Sequence, residues 1–206
     1  MVPCAVLTAI GVTPDGKRSV LGCSVAMRET EPHWRKFLEN PLSRGMRGVK
    51  LVVSDDHAGL KAARSATLSG IPWQRCQFHA IRNAMAHSPE ASMRADVSHD
   101  FRRVFDAGDE PEATRRLKQM IARYQKPAPA LATWLEENVP EALTVLNCPP
   151  PHRRKLRTTN GLERLNKEIK RRTRVATLFS NEASLLILSQ RSSVRSAMNG
   201  RPSGPT

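Results

Sequence analysis

Between about Glu90 and Leu146 the chain offers no strand pattern. Phe101, Val104 and Phe105, then Leu117, Met120 and Ile121, then Leu131, Trp134 and Leu135 recur at the three- and four-residue spacings of amphipathic helices. Any fold for this chain must therefore hold an all-helical block between a strand-rich front and whatever follows. Few arrangements do that within 206 residues, a length that suits one domain or one domain with a large insertion.

The front reads as short strands and helices. Cys4 to Val12 is β-rich, Thr13-Pro-Asp-Gly16 is turn chemistry, and Arg18 to Ala26 returns as a second strand, which predicts a hairpin. Thr30 or Glu31 opens a helix with Pro32 in its first turn, and Trp34, Phe37 and Leu38 form its apolar face. That pattern stops near Pro41 to Gly45. Val49 to Val53 then reads as a buried strand ending in Ser54-Asp55-Asp56-His57. Acids at the carboxyl end of such a strand sit where open α/β sheets place their sites. Asp56 fits equally as the cap of a helix over Ala58 to Leu68 that stops at Gly70. Ile71 to Cys76 reads as another strand, and Gln77 to Met85 as the start of a helix.

After the helical block, Cys148 to Arg157 reads as a proline-stiffened basic connector that cannot be helical. Asn160 is then a good N-cap, with Glu163 at the capping-box spacing, and Leu162, Leu165 and Ile169 give one apolar face. Asn166, Lys167, Lys170 and Arg174 follow Glu163 around the same face. A carboxylate heading a row of cations can hold a metal while the cations hold phosphates. The same residues also fit a blander account, in which Glu163 satisfies the Asn160 amide and the cations form a solvated face. Ser180 opens a last helix through Leu188, and the Gly- and Pro-rich tail from Asn199 is expected to be disordered.

The formal charge is +14, and +10 of it lies from Pro150 onward, where 13 Lys/Arg face 3 Asp/Glu. A concentrated basic end favours a nucleic-acid partner. Aromatic residues make up only 4% of the chain, too few for a single-strand stacking platform, which argues against an RNA-binding helical protein. Cys4, Cys23, Cys76 and Cys148 show no paired metal-site spacing and read as reduced thiols of an intracellular protein. No apolar run approaches the ~20 residues of a membrane span, so the expected setting is cytoplasmic and nucleoid-associated. Cys76-Gln-Phe-His79 is one thiol and one imidazole, short of the four ligands of a structural zinc site. A buried Cys and a hydrogen-bonded His account for it. His57 fits either a local cap or the site beside Asp55.

Taken together, Val53 to Ala63, Trp73-Gln-Arg-Cys-Gln-Phe-His79, Arg82-Asn83 and Asn160 to Arg174 resemble the Mutator-type transposases of bacterial insertion sequences. The front adds Ala9 to Val12, Asp15-Gly16, Val20 to Gly22, Trp34, Phe37-Leu38 and Arg47 to Val49. The resemblance implies an α/β fold: an RNase H-like catalytic domain with a partial sheet and an all-helical insertion between the second and third acids of a DDE triad. By matching motifs, Asp55 corresponds to the second acid and Glu163 to the third, both ligands of Mg²⁺ or Mn²⁺. Cys76 and His79 match the family's C-x-x-H element, with His57 structural or accessory. Arg164, Lys167, Lys170, Arg171, Arg172 and Arg174 would contact DNA.

The resemblance also divides the chain. Residues 1–88 would form the front of the core, 89–147 the insertion, 148–198 the connector and last core helices, and 199–206 the tail. The family's first acid lies on a strand before the one that begins here, and Asp15, the only earlier Asp, is explained by its turn. The chain is therefore expected to be a C-terminal portion, inactive alone in DNA cleavage and strand transfer at transposon ends and target DNA. It is expected to form homo-oligomers or to associate with an intact transposase. The rival expectation is a non-catalytic DNA-binding remnant that blocks an intact transposase.

Overall fold

The computed structural model describes residues 5–88 and 90–175. The helix expected after Ser180 and the tail from Asn199 lie outside the described residues. In chain order the elements are β1 (Ala5–Val12), β2 (Arg18–Ala26), α1 (Glu31–Ser43), β3 (Val52–Ser54), α2 (Ala58–Thr67) and β4 (Trp73–Arg75). Helices α3 (Gln77–Ala84), α4 (Met93–Phe105), α5 (Glu110–Tyr124), α6 (Pro129–Asn138), α7 (Pro150–Leu156) and α8 (Asn160–Val175) follow. Single 3-10 turns lie at Met85–His87, Pro140–Ala142 and Thr144–Asn147. Among the described residues the fold is mixed α/β with two small sheets, and these residues divide into two compact units.

The first unit takes, among the described residues, 5–48, 57–70 and 160–175. Strands β1 and β2 pair antiparallel from Ala5 opposite Ala26 to Val12 opposite Arg18, with one register shift between Ala9 and Ile10. Their turn closes through Gly16 N to Thr13 O at 2.8 Å, and Gly16 supplies the positive φ of 78° that the turn requires. Asp15 belongs to this turn, where the Lys17 ammonium at 2.8 Å and the Thr13 hydroxyl hold its carboxyl down to about 2. Leu7, Ala26 and Phe37 form the buried centre, flanked by Trp34 and Leu38 of α1. Helix α1 runs past Pro41 to Ser43, because Arg44 N and Gly45 N close its end onto Asn40 O and Leu42 O at 3.2 and 3.0 Å.

The second unit takes Val49–Asp56 and Ile71–Thr159. Strands β3 and β4 pair in parallel, Val52 opposite Trp73 and Ser54 opposite Arg75. The periodic apolar residues of the block are buried as the spacing predicts: Val97, Phe101 and Val104 of α4, Leu117 and Met120 of α5, Leu131 and Leu135 of α6. Helix α5 is capped by Asp109, whose Oδ1 accepts from Glu112 N, while Glu112 Oε2 accepts from Gly108 N, both at 2.8 Å.

One expectation fails here. The stretch Cys148 to Arg157 contains a helix, α7. Pro149, Pro150 and Pro151 occupy the cap and the first helical positions, whose N–H groups have no intrahelical acceptor. Losing those donors costs the helix nothing, and their fixed φ favours its start.

Candidate functional site

Parallel pairing of β3 with β4 brings a set of polar side chains to the strand ends of the second unit. Asp55 directly follows β3; its Oδ1 is buried and finds no hydrogen-bond partner among the described residues. A buried carboxylate oxygen without a donor is costly unless a cation is to meet it. Asp56 is engaged differently. Its Oδ2 lies 3.1 Å from Arg75 Nη2, and the N-cap position of α2 falls on His57 rather than on Asp56. The expected cap therefore serves an ion pair.

Arg75 is 2% exposed, and its Nη1 donates to Asn138 Oδ1 at 2.8 Å and lies 3.9 Å from Glu141 Oε2. The guanidinium also stands over the Trp134 ring, 5.2 Å from its centroid. On either side, Gln74 and Gln77 are buried and serve the 3-10 turns. Gln74 Nε2 and Gln77 Nε2 donate to Ala142 O at 2.8 and 2.9 Å, and Gln74 Oε1 accepts from Val145 N at 2.6 Å. Sequence reasoning missed these three residues. Their partners Asn138, Glu141, Ala142 and Val145 lie more than sixty positions away, so no local pattern marks them.

Cys76 is fully buried, and its Sγ accepts from both the amide and the hydroxyl of Thr159 at 3.4 Å. Its own amide donates to Ser54 O at 2.7 Å, tying the start of α3 to the end of β3. His79 is half-buried on α3, with its ring edge-on to Phe78 at 5.5 Å.

In the first unit, α8 begins at Asn160, so Glu163 stands in its first turn, half-buried. Leu165 is buried, and Asn166 Oδ1 accepts from the Thr8 hydroxyl of β1 at 2.9 Å. Asn166 thus faces the hairpin rather than continuing a polar row. Arg164, Lys167 and Arg171 are exposed. Arg171 is held by Glu168 through two bonds of 2.9 Å, which raise the guanidinium pKa further. The side chains of Lys170, Arg172 and Arg174 lie outside the described ones. His57 has its Nε2 3.9 Å from Glu29 Oε2 and its ring tilted against Trp34.

The class defined by these features is a mixed α/β protein with an unsatisfied acid at a strand end and a basic solvent-facing helix. Residues 1–191 match the family described as "Transposase, Mutator family". The chain is 53% identical over 188 residues to the transposase for insertion sequence element IS406 of Burkholderia multivorans, covering 91% of this chain and 48% of that relative. It is 41% identical over 184 residues to the transposase for insertion sequence element ISRM5 of Rhizobium meliloti, covering 89% and 46%. It is 35% identical over 179 residues to the transposase for insertion sequence element IS256 in transposon Tn4001 of Staphylococcus aureus, covering 85% and 45%. The chain belongs to the Mutator family of transposases. It spans about half the length of the curated relatives it matches. Among the described residues no helix is long and apolar enough to cross a membrane.

Proposed function

We propose that the chain carries part of the catalytic machinery that cleaves and joins DNA in the movement of an insertion sequence. The observation that carries this reading is the buried Asp55 Oδ1, without a donor at the end of a strand, in a chain of transposase family. Asp55 and Glu163 would be ligands of Mg²⁺ or Mn²⁺ in an RNase H-like core interrupted by the helical block. Hard carboxylate oxygens suit such ions. Divalent ions bound there supply activation of the attacking oxygen and charge stabilisation on the leaving one. Arg164, Lys167, Lys170, Arg171, Arg172 and Arg174 would position the backbone of transposon-end and target DNA without reading its sequence.

Two carboxylates fall short of a set that fixes two ions in line with a scissile phosphate. Residues 1–206 are therefore expected to bind Mn²⁺ weakly and to leave transposon-end DNA uncut. Mn²⁺ titration followed by electron paramagnetic resonance tests the ligand assignment. Asp55→Asn and Glu163→Gln should each reduce the bound fraction, while Asp15→Asn should not. Equal binding in all four proteins would remove Asp55 and Glu163 from the metal site and favour a non-catalytic DNA-binding role.

A further inference from the structure

We propose that α7 is a second DNA-backbone contact, with Arg154 and Lys155 as its phosphate ligands. The inference rests on the DNA-directed reading above but concerns residues that reading does not use.

No Asp or Glu occurs from Cys148 to Leu162, while Arg153, Arg154, Lys155 and Arg157 fall within five residues. Two of these cations hold the helix in place. Arg153 donates from Nε to Cys148 O at 2.8 Å and from Nη1 to Gly108 O at 2.6 Å. Arg157 donates from Nη1 to Asp106 Oδ1 at 2.8 Å, and its carbonyl accepts from Gln77 N at 2.9 Å. Three prolines stiffen the other end. Arg154 and Lys155 are exposed on this fixed base and meet no carboxylate among the described residues. Because the helix is already fixed, phosphate binding has only the Arg154 and Lys155 side chains to order.

The surface beside these residues adds a second feature. A cavity of about 210 Å³ opens there, lined by Phe105, Ala107 and Leu146, by Arg153, Arg154 and Arg157, and by Asp106, the partner of Arg157. Of the three arginines lining it, Arg153 and Arg157 are engaged with the protein, which leaves Arg154 to meet a phosphate. The ligand is duplex DNA, contacted through its backbone.

The test is fluorescence anisotropy of residues 1–206 with a short random-sequence duplex, titrated across salt. Each phosphate contact contributes about 0.9 to the slope of log affinity against log salt. Arg154→Gln with Lys155→Gln should therefore flatten the slope by about two. The loss in affinity should be about tenfold larger near 50 mM than near 200 mM salt. Arg115→Gln with Lys118→Gln, on the outer side of α5, removes the same charge and should leave the slope unchanged. Arg154→Lys should retain the wild-type slope.

An unchanged slope in the α7 variant overturns the inference, as does equal flattening by the α5 variant, which would mean general charge attraction only. Flattening by Lys167→Gln with Arg171→Gln but not by the α7 pair leaves the DNA-directed reading standing and removes α7 alone. Absence of DNA binding by the unaltered chain overturns both.

Discussion

Arg75 and Asp56 form an ion pair of 3.1 Å in which the cation is almost wholly buried and the carboxylate a quarter exposed. One residue before Asp56 in the chain, Asp55 keeps a buried oxygen that no described donor reaches. Two adjacent acids thus have opposite surroundings, one paired with a buried cation and one with an oxygen left unsatisfied. Removing Asp56 leaves a buried guanidinium short of its nearest counter-charge, which costs more than the pair itself contributes. Asp56→Asn should lower stability by about 2 kcal/mol. Asp55→Asn should leave stability unchanged or raise it, as expected where a site is built at the expense of the fold. Urea unfolding of both variants checks the contrast, and equal losses would count against it.

Gly59 lies in the first turn of α2, where a Cβ would come within 2.9 Å of Glu31 N and 3.1 Å of Thr30 C. These are backbone atoms at the start of α1, which cannot swing away. Gly59→Ala should lower stability by about 1 kcal/mol net, since overpacking outweighs the helix propensity gained. Gly161→Ala in α8 meets only the tip of Arg18 at 3.4 Å and should be neutral or mildly stabilising. Thermal melts of the two variants separate close packing from propensity.

What the sequence made legible was whatever repeats locally. The hairpin, the helices of the block and the acids after β3 follow from period, turn chemistry and apolar runs. Partners far apart in the chain were not legible. Thr8 and Asn166 are bonded across 158 positions, and Asn166 reads as one more polar residue on a helix until that bond is seen. Arg75 looks like a strand-end surface cation, yet its ligands come from Asn138 and Glu141. Helix α7 was hidden by its prolines, which forbid a helix interior but suit a helix start.

Tyr124, 2% exposed, donates to Asp100 Oδ2 at 3.0 Å, and Arg123 reaches the same oxygen at 2.8 Å. Burial first, then the Asp100 hydrogen bond and charge, push the phenol up to about 12. A phenol whose pKa is raised by folding gives its full stabilisation below the unfolded value, near 10, and loses it as pH climbs through the folded one. Denaturant midpoints should therefore fall more steeply between about pH 10 and 12 in the unaltered chain than in Tyr124→Phe. Identical pH profiles for the two proteins would show that this phenol does not couple to folding.

Glu168 and Glu163 lie on one helix and are expected to behave in opposite ways. Glu168 occupies Arg171 with two bonds, so a phosphate approaching Arg171 must first displace a carboxylate. Glu168→Gln weakens that hold and removes a negative charge from α8. Duplex affinity at low salt should rise, because a phosphate reaching Arg171 no longer has to displace a carboxylate. Glu163 has the metal role in the proposed site. In a chain as long as the curated relatives, Glu163→Gln should abolish Mg²⁺-dependent cutting of transposon-end DNA, because it keeps the shape but loses the charged ligand. Glu168→Gln in the same chain should keep that cutting, since residue 168, five positions on, faces another side of the helix. Loss of cleavage in both variants would place the requirement on the net charge of α8 rather than on the carboxylate of Glu163.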